Sequence, residues 1–173
     1  MLLMRRALDT LYNAAAYLAA LLLVGTLAMV LLGVFGRLFG FQLRGTDAYA
    51  GYCMAGAGFL ALAHTLTRGD HIRVGLVLEH AGVQGRKGLE VWSLAAAAVL
   101  STLFATFSVR LAWQSYALHD ISTGNDATPL WLPQLTMAAG TVIFAIAFVD
   151  QLVGELRGTR TPPPVGEEPA HVE

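Results

Sequence analysis

Apolar residues in this chain are gathered into four long stretches that contain no charged side chain. These stretches cover residues 10–36, 48–67, 91–109 and 127–149. A helix needs roughly 20 apolar residues to cross the hydrocarbon core of a bilayer. In lipid, each backbone N–H and C=O group must be satisfied within its own segment, which favours helices. The pattern therefore predicts an all-α integral membrane protein with four transmembrane helices.

The polar residues between these stretches divide the chain into nine segments. We predict an N-terminus (1–10), span 1 (11–36), a connection (37–47), span 2 (48–67), an interfacial segment (68–90), span 3 (91–114), a second outer connection (115–129), span 4 (130–152) and a disordered tail (153–173). The interfacial segment opens with a cluster of charges and continues with the apolar run VGLVL. Its periodicity fits a helix or a strand, and a membrane surface favours a short amphipathic helix. Gly82 and Gly85 are expected to end that helix.

Basic residues set the expected orientation, because loops on the cytoplasmic side of a membrane are enriched in Lys and Arg. The N-terminus, the interfacial segment and the tail share Arg5, Arg6, Arg68, Arg73, Arg86, Lys87, Arg157 and Arg160. The other side receives only Arg37, Arg44 and Arg110. Both termini should therefore lie in the cytoplasm.

Composition supports the same class of protein. The chain is 55% hydrophobic and 13% charged, whereas a soluble domain usually carries about 25% charged residues. The net charge is −1, and no basic cluster is dense enough to indicate nucleic-acid binding. Cys53 is the single cysteine, so an intrachain disulfide cannot form.

Small residues form stripes along two of the predicted spans. Span 2 carries one stripe, made of Gly51, Ala55 and Gly58. A longer stripe in span 3 includes Ser101, Ala105, Ser108 and Ala112. Such faces allow helices to approach closely in lipid. They could pack helices together within this chain or form a groove for another subunit, and the sequence leaves both possibilities open.

No group of residues in the sequence indicates catalysis. There is no glycine-rich phosphate loop and no nucleophile elbow, so we expect neither an enzyme nor a bound cofactor. His64 is the one histidine inside a span, whereas a bis-histidine haem needs two facing ligands. The adjacent Asp70 and His71 are weak evidence for a metal. Asp47 and Asp150 fall at span ends, so an ion site at mid-depth is not expected.

Several short motifs resemble one family of transport proteins. They are Arg37 in VFGRLFGF, Asp47 before span 2, the run FLALAHTLTRGDHIRVGLVL with Arg68, Gly69, His71, Ile72 and Val74, and the entry into span 4 at Thr128, Pro129 and Pro133. With these motifs the chain resembles the small membrane subunit, the DctQ type, of tripartite ATP-independent periplasmic (TRAP) transporters. The similarity covers about residues 10 to 153. The chain departs from the family pattern at Gly75, Gln134 and Ala139.

The resemblance implies a transport system with three components. A periplasmic binding protein captures an organic anion, often a carboxylate, and a large membrane subunit moves the substrate together with sodium. The small subunit would be a scaffold for the large one and would contribute to the surface that receives the binding protein, with membrane lipids as its other contacts. The competing interpretations are a four-helix anchor of a haem or quinone redox complex and, less favoured, a self-associating pore.

Overall fold

Four long helices make up nearly all of the described residues. The computed structural model describes residues 2–41, 43–68, 83–124 and 126–158. The helices are α1 (Leu2–Leu38), α2 (Thr46–Arg68), α3 (Val83–Ala117) and α4 (Trp131–Leu156). Within the described residues, the only β-type pairing is an isolated bridge between Ile121 and Pro129. The all-α membrane fold predicted from the sequence is confirmed.

Three of the helices are long and apolar enough to cross a membrane, judged by length and composition. Their apolar parts are Arg5–Leu38, Gly88–Ala117 and Trp131–Leu156. The fourth helix, α2, is less apolar because 14 of its 23 residues are glycine, alanine, threonine or tyrosine. With 23 residues it still has a length of about 35 Å, enough for a bilayer core.

The helices do not pack in their order along the chain. Helix α2 packs against α1 on one side and α4 on the other, and α4 also packs against α3. The described parts of α1 and α3 make no contact with each other. One aromatic pair, Phe59 and Phe104, links α2 to α3 with ring centroids 6.0 Å apart. The spatial order is therefore α1, α2, α4, α3, with α2 and α4 at the centre.

The core lies where α1, α2 and α4 meet. Two adjacent clusters of buried residues form it, made of Tyr12, Ala63, Leu66 and Ala147, and of Ala15, Ala19 and Leu60. At one end of this core, Gln151 Nε2 of α4 donates a hydrogen bond of 3.1 Å to the backbone carbonyl of Leu66 in α2. That carbonyl belongs to the last turn of its helix, where no intrahelical partner remains. The side chain therefore ties the two central helices together at this end.

Two boundaries differ from the sequence expectation. Helix α1 begins at Leu2, so the predicted N-terminal segment is helical as well. Helix α3 begins at Val83, so the expectation that Gly85 ends a helix is wrong. A single glycine lowers helix stability by only about 1 kcal/mol relative to alanine, which the rest of a long helix offsets. The predicted amphipathic helix in the interfacial segment falls on residues 69–82, and these, like the tail beyond residue 158, lie outside the described residues.

Candidate functional site

One end of the bundle carries a cluster of polar side chains contributed by the α1–α2 and α3–α4 connections. Arg37, near the end of α1, donates to Asp47 in the first turn of α2, with 3.3 Å between Nη2 and Oδ2. Both side chains are largely exposed, at 68% and 83%. The sequence singled out these two residues separately, and the fold brings them together across the α1–α2 connection. Their exposure leaves both available to another molecule.

The connection between α3 and α4 is fastened to α2 by hydroxyl groups. Tyr52 OH donates to Asp126 Oδ2 at 3.0 Å and lies 3.0 Å from Ser122 Oγ. Ser122 Oγ in turn donates to Asp126 Oδ1 at 2.8 Å. Both carboxylate oxygens of Asp126 therefore accept a hydrogen bond, one from its own connection and one from a neighbouring helix.

A second contact of the same kind lies one helical turn away. Thr128 Oγ1 and Tyr49 OH share a hydrogen bond of 3.0 Å, and the rings of Tyr49 and Tyr52 meet edge to face with centroids 6.1 Å apart. Gly45 adopts a φ of +84°, a left-handed conformation that glycine tolerates best. A side chain at position 45 would also meet Asp126, since a Cβ there would lie 2.8 Å from that residue's Cβ. The two outer connections thus form one close-packed surface.

Asp126 is the charged centre of this surface. Hydrogen bonding from the Thr128 hydroxyl and then from Ser122 lowers its pKa from 3.8 to about 2. Donors that favour the ionised form of a carboxyl group lower its pKa in this way. Asp126 is therefore a carboxylate at all pH values at which the protein would work.

A polar pocket of about 370 Å³ opens beside the ion pair. Its wall includes Arg37, Arg44 and Asp47 from the first connection and Gly124 from the second. The pocket therefore presents two guanidinium groups and one carboxylate at the end of the bundle. Charged groups in this arrangement can pair with complementary charges on the surface of another protein.

The small-residue stripe of α2 faces outward. Gly51, Ala55 and Gly58 are all exposed, and a Cβ added to either glycine would meet nothing within 4 Å. The buried residues of α2, which include Ala57 and Leu60, lie on its other faces. Along this face the backbone of α2 is uncovered and open to close approach by another helix.

The stripe of α3 is used differently. Its four predicted interface residues are buried, namely Ser101, Ala105, Ser108 and Ala112. Because α4 is the helix that packs along α3, the stripe serves the contact between these two helices. Ser101 and Ser108 satisfy their hydroxyls on carbonyls of their own helix. The sequence left open whether this stripe packs helices within the chain or forms a groove for another subunit. In the structure it packs α3 against α4 within the chain.

The remaining signature residues fall at helix ends or outside the described residues. Arg68 is the exposed last residue of α2, and Gly69, His71, Ile72 and Val74 lie outside the described part of the chain. Pro129 precedes α4 and belongs to the bridge with Ile121. Pro133 lies in the first turn of α4, where a helix does not need its backbone N–H.

No sequence pattern directly indicated the network around Asp126. Tyr49 and Tyr52 are spaced to share one face of a helix, and Ser122 and Asp126 fall in a connection rich in turn residues. This spacing and composition are compatible with many side-chain contacts. The hydrogen bonds to Asp126 form only because α2 packs beside α4. Among the described residues, no three His, Cys, Asp or Glu side chains are grouped to hold a metal ion.

Comparison with known proteins agrees with this architecture. No curated protein and no solved structure matches the chain. One family model does match, over residues 26–158, and its description is "Tripartite ATP-independent periplasmic transporters, DctQ component". The match includes the last third of α1, all of the other three helices and both connections at the polar end. The chain therefore belongs to the DctQ family and is a multi-pass small permease subunit of a TRAP transporter.

Proposed function

We propose that this chain is the fixed scaffold of a TRAP-type secondary transporter in a bacterial inner membrane. It binds the large membrane subunit permanently, and that subunit imports an organic anion of the carboxylate class together with sodium. A periplasmic binding protein delivers the anion and docks transiently. Both termini of the small subunit lie in the cytoplasm. Family membership supports the scaffold role.

The exposed small-residue face of α2 is the observation that supports the contact with the large subunit. Gly51 and Gly58 have open space beyond their Cα atoms, and Ala55 lies between them on the same exposed face. In lipid, where apolar side chains gain nothing by leaving the solvent, close backbone contact is a main source of helix association. The corresponding stripe of α3 is already covered by α4. We therefore assign the large-subunit contact to α2.

The polar end of the bundle is suited to the binding protein. Arg37, Arg44 and Asp47 are exposed charges, and complementary charges raise the rate of encounter between proteins. The hydroxyl contacts of Asp126 hold the second connection against α2. A transient partner would thus meet a surface that is already ordered, which lowers the entropic cost of docking.

Co-purification tests the scaffold role. An affinity-tagged chain carrying Gly58→Leu should recover the large subunit at least several-fold less than the unsubstituted chain, because the leucine holds the helices apart. Gly88→Leu on α3 is a matched control, since position 88 also has nothing within 4 Å. Equal recovery with Gly58→Leu and with the control would contradict the assignment of this face.

Reconstituted uptake tests the transport part of the proposal. Vesicles containing both membrane subunits should accumulate a radiolabelled carboxylate only with an inward sodium gradient and added binding protein. Omission of the small subunit should abolish accumulation. Uptake by the large subunit and binding protein alone would contradict a scaffold that transport requires.

A further inference from the structure

An apolar groove runs along the α3–α4 pair. It consists of two hollows of about 540 and 380 Å³ that share Val109 and Val142. Its lining includes small residues that are buried in the helix pair, namely Ala105, Ala112, Ala138 and Ala145. The larger side chains on either side of these alanines form its walls. The groove is therefore a consequence of the close approach of the two helices.

The groove has the length of a lipid chain. It extends on α3 from Thr102 to Tyr116, which corresponds to about 21 Å at the rise of an α-helix. One leaflet of the hydrocarbon core is about 15 Å deep, half of the full core. An acyl chain lying parallel to the helices could therefore occupy the groove over the whole depth of a leaflet.

The hydroxyl groups of the two threonines in the groove already donate hydrogen bonds to the backbone of their own helix. Thr102 donates its hydroxyl to the carbonyl of Ala98 at 2.7 Å, and Thr106 donates to that of Leu103 at 2.7 Å. Neither hydroxyl proton is available to an occupant. Between its ends the groove thus offers only apolar contact, which is what a hydrocarbon chain needs.

One end of the groove is different, because it is lined by aromatic residues that carry hydrogen-bond donors. Tyr116 meets Trp131 edge to face at 5.6 Å and Trp113 at 6.2 Å between ring centroids. Trp N–H and Tyr O–H groups are donors, and such residues are enriched at the headgroup level of membranes. This end therefore marks the depth of the lipid headgroups.

A cation lies on α3 within one helical turn of Trp113 at this aromatic end. Arg110 is exposed and precedes Trp113 by three residues, about 4.5 Å nearer the membrane centre along the helix. Among the described side chains, Arg110 forms no ion pair; the ion pair found there joins Arg37 and Asp47. A long arginine side chain can extend toward the headgroups from this depth. The end of the groove thus combines a positive charge with three neutral donors.

We propose that the α3–α4 groove is a binding site for one membrane phospholipid. An acyl chain lies along the buried alanines, and the phosphate accepts hydrogen bonds from Arg110 and the aromatic donors. A helix of a partner protein would match the apolar part, but the cation and the donors at one end are complementary to phosphate. The proposal depends on insertion of the chain in a membrane and not on the identity of the transported substrate.

A photo-crosslinking amino acid tests this occupant directly. Ala139 lines the groove and is exposed, so p-benzoyl-phenylalanine can replace it without entering the α3–α4 contact. After purification of the full membrane complex in detergent, illumination should add the mass of one phospholipid to this chain. The same probe at Ala20, an exposed position of α1, should give no lipid adduct, because detergent has replaced the bulk lipid there.

Substitution of the arginine provides the second measurement. Arg110→Gln should lower the lipid adduct at position 139 about fivefold, the loss expected for one arginine near a headgroup. Arg44→Gln is the matched control, because Arg44 is exposed in the first outer connection, and it should leave the adduct unchanged. A crosslink from position 139 to another polypeptide would overturn the proposal, as would equal lipid labelling at positions 20 and 139. A lipid adduct insensitive to Arg110→Gln would also overturn it, since bulk lipid alone would then fill the groove.

Discussion

Gly140 of α4 lies directly against the backbone of Phe59 in α2. A Cβ added to Gly140 would be 2.5 Å from the carbonyl carbon of Phe59 and 2.9 Å from the backbone nitrogen of Leu60. Neither atom can move away without a shift of the whole helix. The backbones of the two central helices are therefore in direct contact at this point, and the position requires glycine for lack of space.

Gly140→Ala should consequently destabilise the subunit. Overpacking of a tight contact costs about 1–3 kcal/mol, which would appear as a lower midpoint of thermal unfolding of the purified chain in detergent. Gly88→Ala is the control, because position 88 is in a helix and has open space around it. It should leave the midpoint unchanged or raise it slightly, since alanine favours helix. Equal midpoints for the two variants would contradict the close contact.

The buried stripe of α3 leads to a second prediction. Ala105 and Ser108 are 6% and 3% exposed, so Ala105→Leu or Ser108→Leu should separate α3 from α4. We expect a loss of about 1–3 kcal/mol in stability of the isolated subunit, as for other overpacked sites, measured by its thermal unfolding. Gly58→Leu on the open face of α2 should leave that stability nearly unchanged. A stable isolated subunit carrying Ala105→Leu would show that α3 and α4 do not pack as described.

The lowered pKa of Asp126 predicts the pH dependence of the polar end. Its pKa falls from 3.8 to about 2 on folding, so the ionised form is the one that the folded connection favours. This contribution is complete above about pH 4 and is lost as the pH falls toward 2. Fluorescence of Trp131, which begins α4 beside this connection, should change over that interval in a variant with Trp92→Phe and Trp113→Phe. Asp126→Asn in the same background should remove the change, and its persistence would contradict the assignment to Asp126.

The ion pair between Arg37 and Asp47 should contribute little to stability. Exposed pairs are worth about 0–1 kcal/mol, and both of these side chains are mostly exposed. Arg37→Gln should therefore shift the unfolding midpoint slightly, and less so at high salt, which screens exposed charges. A large loss of stability that persists in high salt would show that Arg37 has a structural role beyond this pair.

Cysteine labelling tests the predicted orientation. In a Cys53→Ala background, Thr123→Cys places a thiol in the second outer connection and Arg157→Cys places one just after α4. A maleimide that cannot cross membranes should label position 123 in intact spheroplasts and position 157 only after lysis. The reverse pattern, or labelling of both positions before lysis, would contradict the cytoplasmic placement of the C-terminus.

The sequence by itself determined the class of this protein and the identity of its helices. Charge-free stretches of bilayer length can satisfy their backbone in lipid only as helices, so the pattern leads to the four helices without knowledge of their packing. It also marked the small-residue faces, because glycine, alanine and serine recur at helical spacing. What it could not supply was the partner of each face, since a small residue permits close approach by any helix.

Only the tertiary structure decided those partners. The order α1, α2, α4, α3 covers the stripe of α3 and leaves that of α2 open, although both look alike in the sequence. The same order brings Asp126 to Tyr52, 74 positions apart along the chain. Helix contacts in lipid depend on shape complementarity over many residues at once, and that information is not contained in the periodicity of any single helix.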